Sequence, residues 1–195
     1  ASSAASDVYK RQSLKKYFNI DDGIHVIGMV DSQNTNHTLL STESGYGFIC
    51  DNHDLSSSNR KGKAILKNKA SMLSKPVAFR MEDYKHYILI TDKQYMLVGD
   101  LSDIPIMSKG KGVKLINIPN SDEEEKIVFS GVIKDGERLE IDCKNKRTKY
   151  IEFEDLEPYI MGRTRRGKKI DNKYTHKNAK LIYNTGKKWR EYFIL

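Results

Sequence analysis

Short apolar runs separated by polar turns recur along the chain, and no long stretch repeats its apolar residues with the period of an α-helix. The first strands of three predicted hairpins lie at residues 38–41, 87–90 and 139–142. Another predicted strand precedes each hairpin, at 26–30, 77–81 and 127–133, and a further one follows it, at 64–66, 113–116 and, weakly, 169–170. The pattern therefore predicts an all-β chain built from units of four short strands.

These units repeat about every fifty residues. Three segments align without gaps: TESGYGFICDNHDL (42–55), TDKQYMLVGDLSDI (91–104) and CKNKRTKYIEFEDL (143–156). One column of the alignment holds Asp54, Asp103 and Asp155. A glycine among Lys and Arg follows each aspartate, at Gly62, Gly112 and Gly167. Recurring columns in three units favour a true repeat over a chance likeness between hairpins. A strand-only repeat of this length is typical of propeller-like blades.

The repeat also predicts how the chain is divided. The expected parts are a leader (1–12), a remnant of a preceding blade or linker (13–24), three blades (25–73, 74–121 and 122–171) and a basic tail (172–195). We interpret the leader as non-native, because DVYKRQ (7–12) resembles a translated sequencing-library adaptor. The tail does not continue the sequence pattern, and it forms either an extra strand at 181–183 or a partly disordered end.

The chain carries 34 Lys and Arg against 26 Asp and Glu, which gives a formal net charge of +8. This balance favours a polyanionic partner, either nucleic acid or an acidic membrane surface. No run of about 18 apolar residues occurs, so no membrane-spanning helix is expected. Cys50 and Cys143 stand far apart, which fits a reducing compartment with both thiols buried.

Three segments without any acid concentrate the positive charge; we call residues 56–75, 105–118 and 159–170 the first, second and third basic segments. A glycine beside Lys or Arg lets the backbone approach a phosphate while the long cations reach either side. We therefore predict a curved positive rim, the basic belt, formed by Arg60, Lys61, Lys63, Lys67, Lys109, Lys111, Lys114, Arg163, Arg165, Arg166 and Lys168. The alternative is ordinary solvated loops, and recurrence at one repeat position argues against it.

Motifs for catalysis or metal binding are missing from the sequence. The five histidines form no HExxH pair, and neither cysteine has a partner at zinc spacing. No GxSxG elbow and no GxxxxGK[ST] loop occurs, which argues against a serine hydrolase and an ATP-binding P-loop. The sequence therefore predicts no catalytic and no metal-ligating residue in this chain.

The string GYGFICDNHDLSSSNRKGKAIL (45–66), followed by SDIPIMSKGKGVKLINIP (102–119), resembles the C-terminal domain of the A subunit of bacterial topoisomerase IV. The related domain of DNA gyrase is similar but less close, because residues 59–63 and 162–167 are only degenerate forms of its QRRGGKG-type box. The resemblance covers roughly residues 25–170. It implies a β-pinwheel, a disc of four-stranded blades whose basic rim binds and bends duplex DNA. The family's usual disc has more blades, so we expect a fragment with a partial disc of about three blades.

The resemblance also implies a function. We expect the chain to bind duplex DNA without sequence preference and to position the transported segment for strand passage, in decatenation and relaxation. The implied partners are duplex DNA, the ATPase B subunit of the holoenzyme and the breakage–reunion domain of the same polypeptide, in the bacterial cytoplasm at the nucleoid. ATP and Mg²⁺ are implied for the whole enzyme only, and no cofactor is expected in this chain. The alternative function is a propeller-like module that binds an acidic partner protein, which the salt dependence of binding distinguishes.

Overall fold

The computed structural model describes residues 26–59, 62–67, 72–119, 125–143, 148–170, 174–184 and 189–191. The predicted leader (1–12) and remnant (13–24) lie outside the described residues. The strands are β1 (His37–Ser41), β2 (Tyr46–Asp51), β3 (Val77–Phe79), β4 (His86–Thr91), β5 (Tyr95–Asp100), β6 (Val113–Lys114), β7 (Ile127–Ile133), β8 (Glu137–Cys143), β9 (Thr148–Glu152), β10 (Lys168–Lys169), β11 (Tyr174–Asn184) and β12 (Trp189–Glu191). Helical turns are short: α1 (Asn52–Leu55) and the 3₁₀ turns Met81–Asp83, Leu101–Asp103 and Phe153–Tyr159. Across this part of the chain, no helix is long and apolar enough to cross a membrane.

The strands form three antiparallel sheets of four strands, in the orders β3–β1–β2–β6, β7–β4–β5–β10 and β12–β11–β8–β9. Each sheet is built around one of the predicted hairpins, β1–β2, β4–β5 or β8–β9. Alternation of side chains along short strands and the turn residues between them account for these hairpins. The predicted all-β array of four-stranded blades is therefore confirmed.

Strands are exchanged between neighbouring units. The sequence grouped residues 77–81 and 127–133 with the hairpins that follow them, whereas β3 pairs with β1 and β7 pairs with β4. In the same way, β6 crosses to β2 of the first sheet, and β10 crosses to β5 of the second. The grouping of these strands was wrong, because the period of a repeat does not specify which hairpin an outer strand joins. The residue ranges of the repeat units stay a prediction.

The predicted strands at 26–30 and 64–66 are also corrected. Residues 26–30 do not form a strand. The strands at this place of the later units pair with the preceding sheet, and the described residues contain no sheet before β1. Residues 64–66 contribute only an isolated bridge from Leu66 to Gly110. In the tail, β11 pairs with β8 as β3 does with β1, and β12 adds beside it. β11 therefore occupies the place that β3 and β7 have in the first two sheets, whereas β12 has no counterpart there; the predicted strand at 181–183 is part of β11.

The core lies between successive sheets, and β4 is buried on both faces. Tyr87 and Leu89 pack into a cluster with Leu39 of the first sheet, whereas Ile88 and Ile90 pack into a second cluster with Leu139 and Ile141 of the third sheet. A continuous apolar run such as YILI is typical of a strand with no solvent face. A smaller cluster of Leu40, Phe48 and Cys50 covers the other side of the first sheet.

The first two hairpins share one turn geometry. The Gly45 amide donates to the Thr42 carbonyl, and the Gln94 amide donates to the Thr91 carbonyl, both at 3.0 Å. Both turns place their last residue in the left-handed region, at φ +86° for Gly45 and +74° for Gln94. Glycine adopts this conformation without steric cost, whereas Gln94 adopts it despite the steric cost of its Cβ atom. The shared turn sets the register in which Tyr46 and Tyr95 begin β2 and β5.

Candidate nucleic-acid interface

Backbone hydrogen bonds join successive basic segments into one surface. The Lys67 amide of the first segment donates to the Gly110 carbonyl of the second at 2.8 Å. The Asn117 amide of the second segment donates to the Arg165 carbonyl of the third, also at 2.8 Å. In the second bond, Asn117 follows β6, which crosses to β2, and Arg165 precedes β10, which crosses to β5. The described parts of the three segments are therefore contiguous.

The predicted belt residues differ in exposure. Arg60 and Lys61 lie outside the described residues. The exposed members are Lys63, Lys67, Lys109, Lys111, Arg165 and Lys168. The half-buried members are Lys114, Arg163 and Arg166. Within the described ranges, the side chains of Lys67, Lys109 and Arg165 make no ion pair and no hydrogen bond. These three cations can contact an anionic ligand without breaking an internal interaction.

Three further cations use one donor internally. Lys63 Nζ donates to the Asp54 carbonyl at 2.9 Å, and Lys114 Nζ donates to Asn117 Oδ1 at 2.7 Å. Arg163 Nη1 donates to the Lys114 carbonyl at 3.5 Å. All these acceptors are neutral, so none of these hydrogen bonds neutralises the charge of its cation. The contacts orient long side chains and lower the entropy that an anion contact would cost.

Two cations directly before a glycine stack on tyrosines of the preceding hairpin. Lys111 Nζ lies 4.4 Å from the ring centroid of Tyr46, and Arg166 Cζ lies 4.1 Å from that of Tyr95. A cation within about 6 Å of an aromatic face is attracted by the ring quadrupole. The two pairs occupy the same place in successive units, so this contact joins neighbouring blades. The sequence pattern gave no indication that Tyr46 and Tyr95 have cation partners.

Arg166 differs from the other described belt residues because an acid neutralises it. Its Nη1 atom lies 2.6 Å from Glu125 Oε2, and the Glu125 side chain is fully buried. The Arg166 side chain is only 25% exposed. A buried carboxylate needs a cation beside it, since an isolated buried charge is strongly unfavourable. The structure therefore places Arg166 in a blade junction rather than free on the belt. The sequence offered no signal for Glu125 beyond its place in an acidic stretch.

The glycines of the basic segments serve the backbone in two ways. A Cβ on Gly112 would lie 2.2 Å from the Gly47 carbonyl oxygen, and one on Gly167 would lie 2.6 Å from that of Met96. Both have positive φ, +76° and +83°, at the point where β6 and β10 meet their partner strands. Gly62 also has a positive φ, +74°, but open space surrounds it. Gly112 and Gly167 therefore allow the close backbone approach that strand exchange requires. From the sequence, the same glycines were expected to let the backbone approach a phosphate.

The aspartate column lies in the short helical turns after β2, β5 and β9. Asp54, Asp103 and Asp155 all occupy the first turn. The first two turns are capped by an aspartate three residues earlier: Asp51 accepts from the His53 amide and Asp100 from the Ser102 amide, both at 2.8 Å. The hydrogen bond from Ser102 lowers the pKa of Asp100 below its usual value. The column therefore marks the turn that directs each chain segment towards its basic loop.

A second buried acid lies at the start of β8. Glu137 accepts from the Tyr84 hydroxyl at 2.9 Å and from the Lys134 amide at 3.1 Å. Burial raises the pKa of the Glu137 carboxyl from 4.5 to about 7, and the two hydrogen bonds oppose the shift only in part. Because Tyr84 precedes β4 and Glu137 opens β8, this contact joins the second sheet to the third.

Four-stranded blades that exchange strands, with Lys/Arg–Gly segments at their junctions, define the chain as a β-pinwheel domain. The family described as DNA gyrase C-terminal domain, beta-propeller, matches residues 36–70 and 85–134. The chain belongs to this family, the C-terminal domains of the A subunits of DNA gyrase and topoisomerase IV. The predicted resemblance is confirmed.

Individual relatives agree with this assignment. The A subunit of DNA topoisomerase 4 from Pseudomonas aeruginosa is 31% identical over 150 residues, which cover 74% of this chain and 20% of the relative. Its counterpart from Haemophilus influenzae is 31% identical over 176 residues, covering 88% and 23%. The structure of the E. coli ParC C-terminal domain matches with a TM-score of 0.73 and 28% identity, over 86% of this chain and 69% of that one. The chain spans about a fifth of the length of these curated relatives.

Proposed function

We propose that this chain binds and bends duplex DNA through its basic belt, without reading the base sequence. The observation that carries the proposal is the joining of the three basic segments by backbone hydrogen bonds, which makes the cations one surface. Lys67, Lys109 and Arg165 are exposed on that surface. Lys and Arg that contact phosphates release counterions and hold a duplex in register, whereas sequence is read at base edges.

We infer further that the chain acts as the C-terminal domain of a topoisomerase IV A subunit. Its role is geometric: a curved array of cations holds the transported segment for strand passage in decatenation and relaxation. The breakage–reunion domain and the ATPase B subunit supply the chemistry, with ATP and Mg²⁺. Kinship to topoisomerase IV supports this role. The location that fits it is the bacterial cytoplasm, at the nucleoid.

The test is the salt dependence of duplex binding by a triple variant, Lys67→Ala, Lys109→Ala and Arg165→Ala. The slope of log affinity against log salt should fall by roughly 0.9 for each lost phosphate contact. The free energy of unfolding should change by less than about 0.5 kcal/mol per site, because all three side chains are exposed.

A charge-matched control removes three cations outside the belt, at Arg80, Lys85 and Lys126. These residues are exposed, and none lies in a basic segment. The control should keep the slope of the unmodified chain. Equal slopes in the belt variant and the unmodified chain would contradict the proposal. A shallow salt dependence of the unmodified chain would favour an acidic protein partner instead.

A further inference from the structure

Two exposed isoleucines recur at the same place in successive units. Ile106 is 59% exposed and Ile160 is 46% exposed. Each is followed by a methionine that turns into the core: Met107 packs on the cluster of the first sheet, and Met161 packs on the cluster between the first two sheets. A single exposed aliphatic residue is ordinary on a protein surface. Exposed isoleucines at the same position of two successive units, each directly before a basic loop, indicate a shared role.

The backbone holds both isoleucines rigidly. The Ile49 amide donates to the Pro105 carbonyl at 3.1 Å, and the Met107 amide donates to the Ile49 carbonyl at 2.8 Å. Ile106 therefore lies between two residues that are fixed against β2. Ile160 forms the equivalent parallel bridge to Val98 of β5. A short segment paired in this way presents its middle side chain to solvent with little freedom to withdraw.

The basic residues that follow the two isoleucines favour a polyanion as the ligand. Residues 105–118 and 159–170 contain no acid, and Lys109 follows Ile106 by three residues, as Arg163 follows Ile160. Three residues of chain span at most about 10 Å, so the backbone of each isoleucine lies no farther from that of a cation than about the width of a DNA groove. Exposed acids also lie nearby, Asp103 three residues before Ile106 and Glu157 three residues before Ile160. On the side of the basic segments, the cations favour a duplex, whose grooves offer apolar sugar and base surfaces between phosphates.

We propose that Ile106 and Ile160 are apolar wedges that press into the minor groove of the bound duplex and promote its bending. The proposal rests on the function proposed above and adds a second kind of contact to it. Apolar side chains that enter the minor groove partly unstack a base step and kink the duplex, so that it follows a curved protein surface. The cations would hold the phosphates on either side of each kink.

The first unit provides a matched control within the same chain. Ser57 stands three residues after Asp54, as Ile106 stands three residues after Asp103, and Ser57 is also exposed. A small polar side chain cannot act as a wedge. We expect the bend to be introduced beside the second and third basic segments and not beside Ser57.

The experiment measures bending and affinity with the 195-residue chain and a duplex of about 30 base pairs that carries a fluorophore at each end. The variants are Ile106→Ser, Ile160→Ser and the double variant, with Ser57→Ala as control. At saturation, energy transfer between the fluorophores should fall in the isoleucine variants, and affinity should fall roughly five- to tenfold per isoleucine. The salt slope should stay unchanged, since no phosphate contact is lost. A duplex with a single-nucleotide gap at its centre should restore the affinity, because it bends at little cost.

Each outcome decides between the two proposals. Unchanged bending and affinity in the double variant, with normal salt-dependent binding of the unmodified chain, would overturn the wedge and leave the belt standing. A lower affinity that the gapped duplex does not restore would also overturn it, and would indicate a contact unrelated to bending. Failure of the unmodified chain to bind any duplex would overturn both proposals. Circular dichroism of each variant verifies folding, which an exposed Ile-to-Ser change should leave intact.

Discussion

Replacing Arg166 with Met should destabilise the fold and leave DNA binding almost unchanged. Met keeps an apolar stem of similar length and removes the charge. The Glu125 carboxylate, fully buried and 2.6 Å from the guanidinium, would then have no cation beside it. The contact with the Tyr95 ring, 4.1 Å from Arg166 Cζ, would be lost as well.

The magnitude follows from these two losses. Removing one partner of a buried ion pair costs about 3–5 kcal/mol, because the other charge stays buried without compensation. Arg166 keeps 25% of its side chain exposed, so water reaches the pair and the lower end of that range applies. Loss of the cation–π contact adds about 0.5–1 kcal/mol. We expect the free energy of unfolding to fall by about 3–4 kcal/mol in total.

Urea unfolding followed by circular dichroism measures the effect, and Arg165→Met is the matched control. Arg165 is exposed, so its replacement should change stability by less than about 0.5 kcal/mol and lower the salt slope of DNA binding by roughly 0.9. The double variant Glu125→Gln with Arg166→Met should recover most of the lost stability. Wild-type stability in Arg166→Met, together with a lower salt slope, would refute the reasoning and make Arg166 a phosphate ligand.

Two further predictions concern the blade junctions. Gly112→Ala should lower the free energy of unfolding by more than about 3 kcal/mol, because its Cβ would lie 2.2 Å from a backbone oxygen. Gly62→Ala, in open space, should lower it by only about 1–2 kcal/mol. Equal losses in urea unfolding would contradict the assignment of Gly112 to strand exchange. The raised pKa of Glu137 means that the folded state holds its proton more tightly, so the associated stability is complete below about pH 4.5 and is lost as the pH rises through about 7. Glu137→Gln should flatten this dependence of the unfolding free energy on pH, measured by urea unfolding, by about 2 kcal/mol.

Local patterns in the sequence predicted the hairpins and revealed the aspartate column. Strand residues such as Tyr87–Ile90 are defined by their own run of apolar side chains, and Asp54, Asp103 and Asp155 recur at a spacing that alignment exposes. Both signals depend on neighbours within one unit. The positive segments were equally visible, because acids are absent from them over a dozen residues or more.

Contacts between units were not predictable from the same patterns. Two-residue strands such as β6 and β10 carry too little sequence to indicate a partner, and their pairing is set by the positive-φ glycines that let them meet β2 and β5. Glu125 and Arg166 are distant in sequence and meet because β7 and β10, the strands that follow them, both join the second sheet. Charge counts from the sequence treat a neutralised arginine and an unneutralised one equally, so they could not indicate that Glu125 neutralises Arg166.

The position of each cation relative to its glycine separates cations that stack between blades from those that face solvent. The residue directly before the glycine stacks on the tyrosine of the preceding hairpin, as Lys111 does on Tyr46 and Arg166 on Tyr95. Earlier cations of the same loops, Lys109 and Arg165, face solvent. The two stacking cations differ in their charge environment. Lys111 is exposed and pairs with no acid among the described residues, whereas Glu125 neutralises Arg166. Blade stacking and the proposed phosphate contacts thus involve neighbouring residues of one loop, so the stacking cation Arg166 can be replaced while the solvent-facing Arg165 beside it is retained.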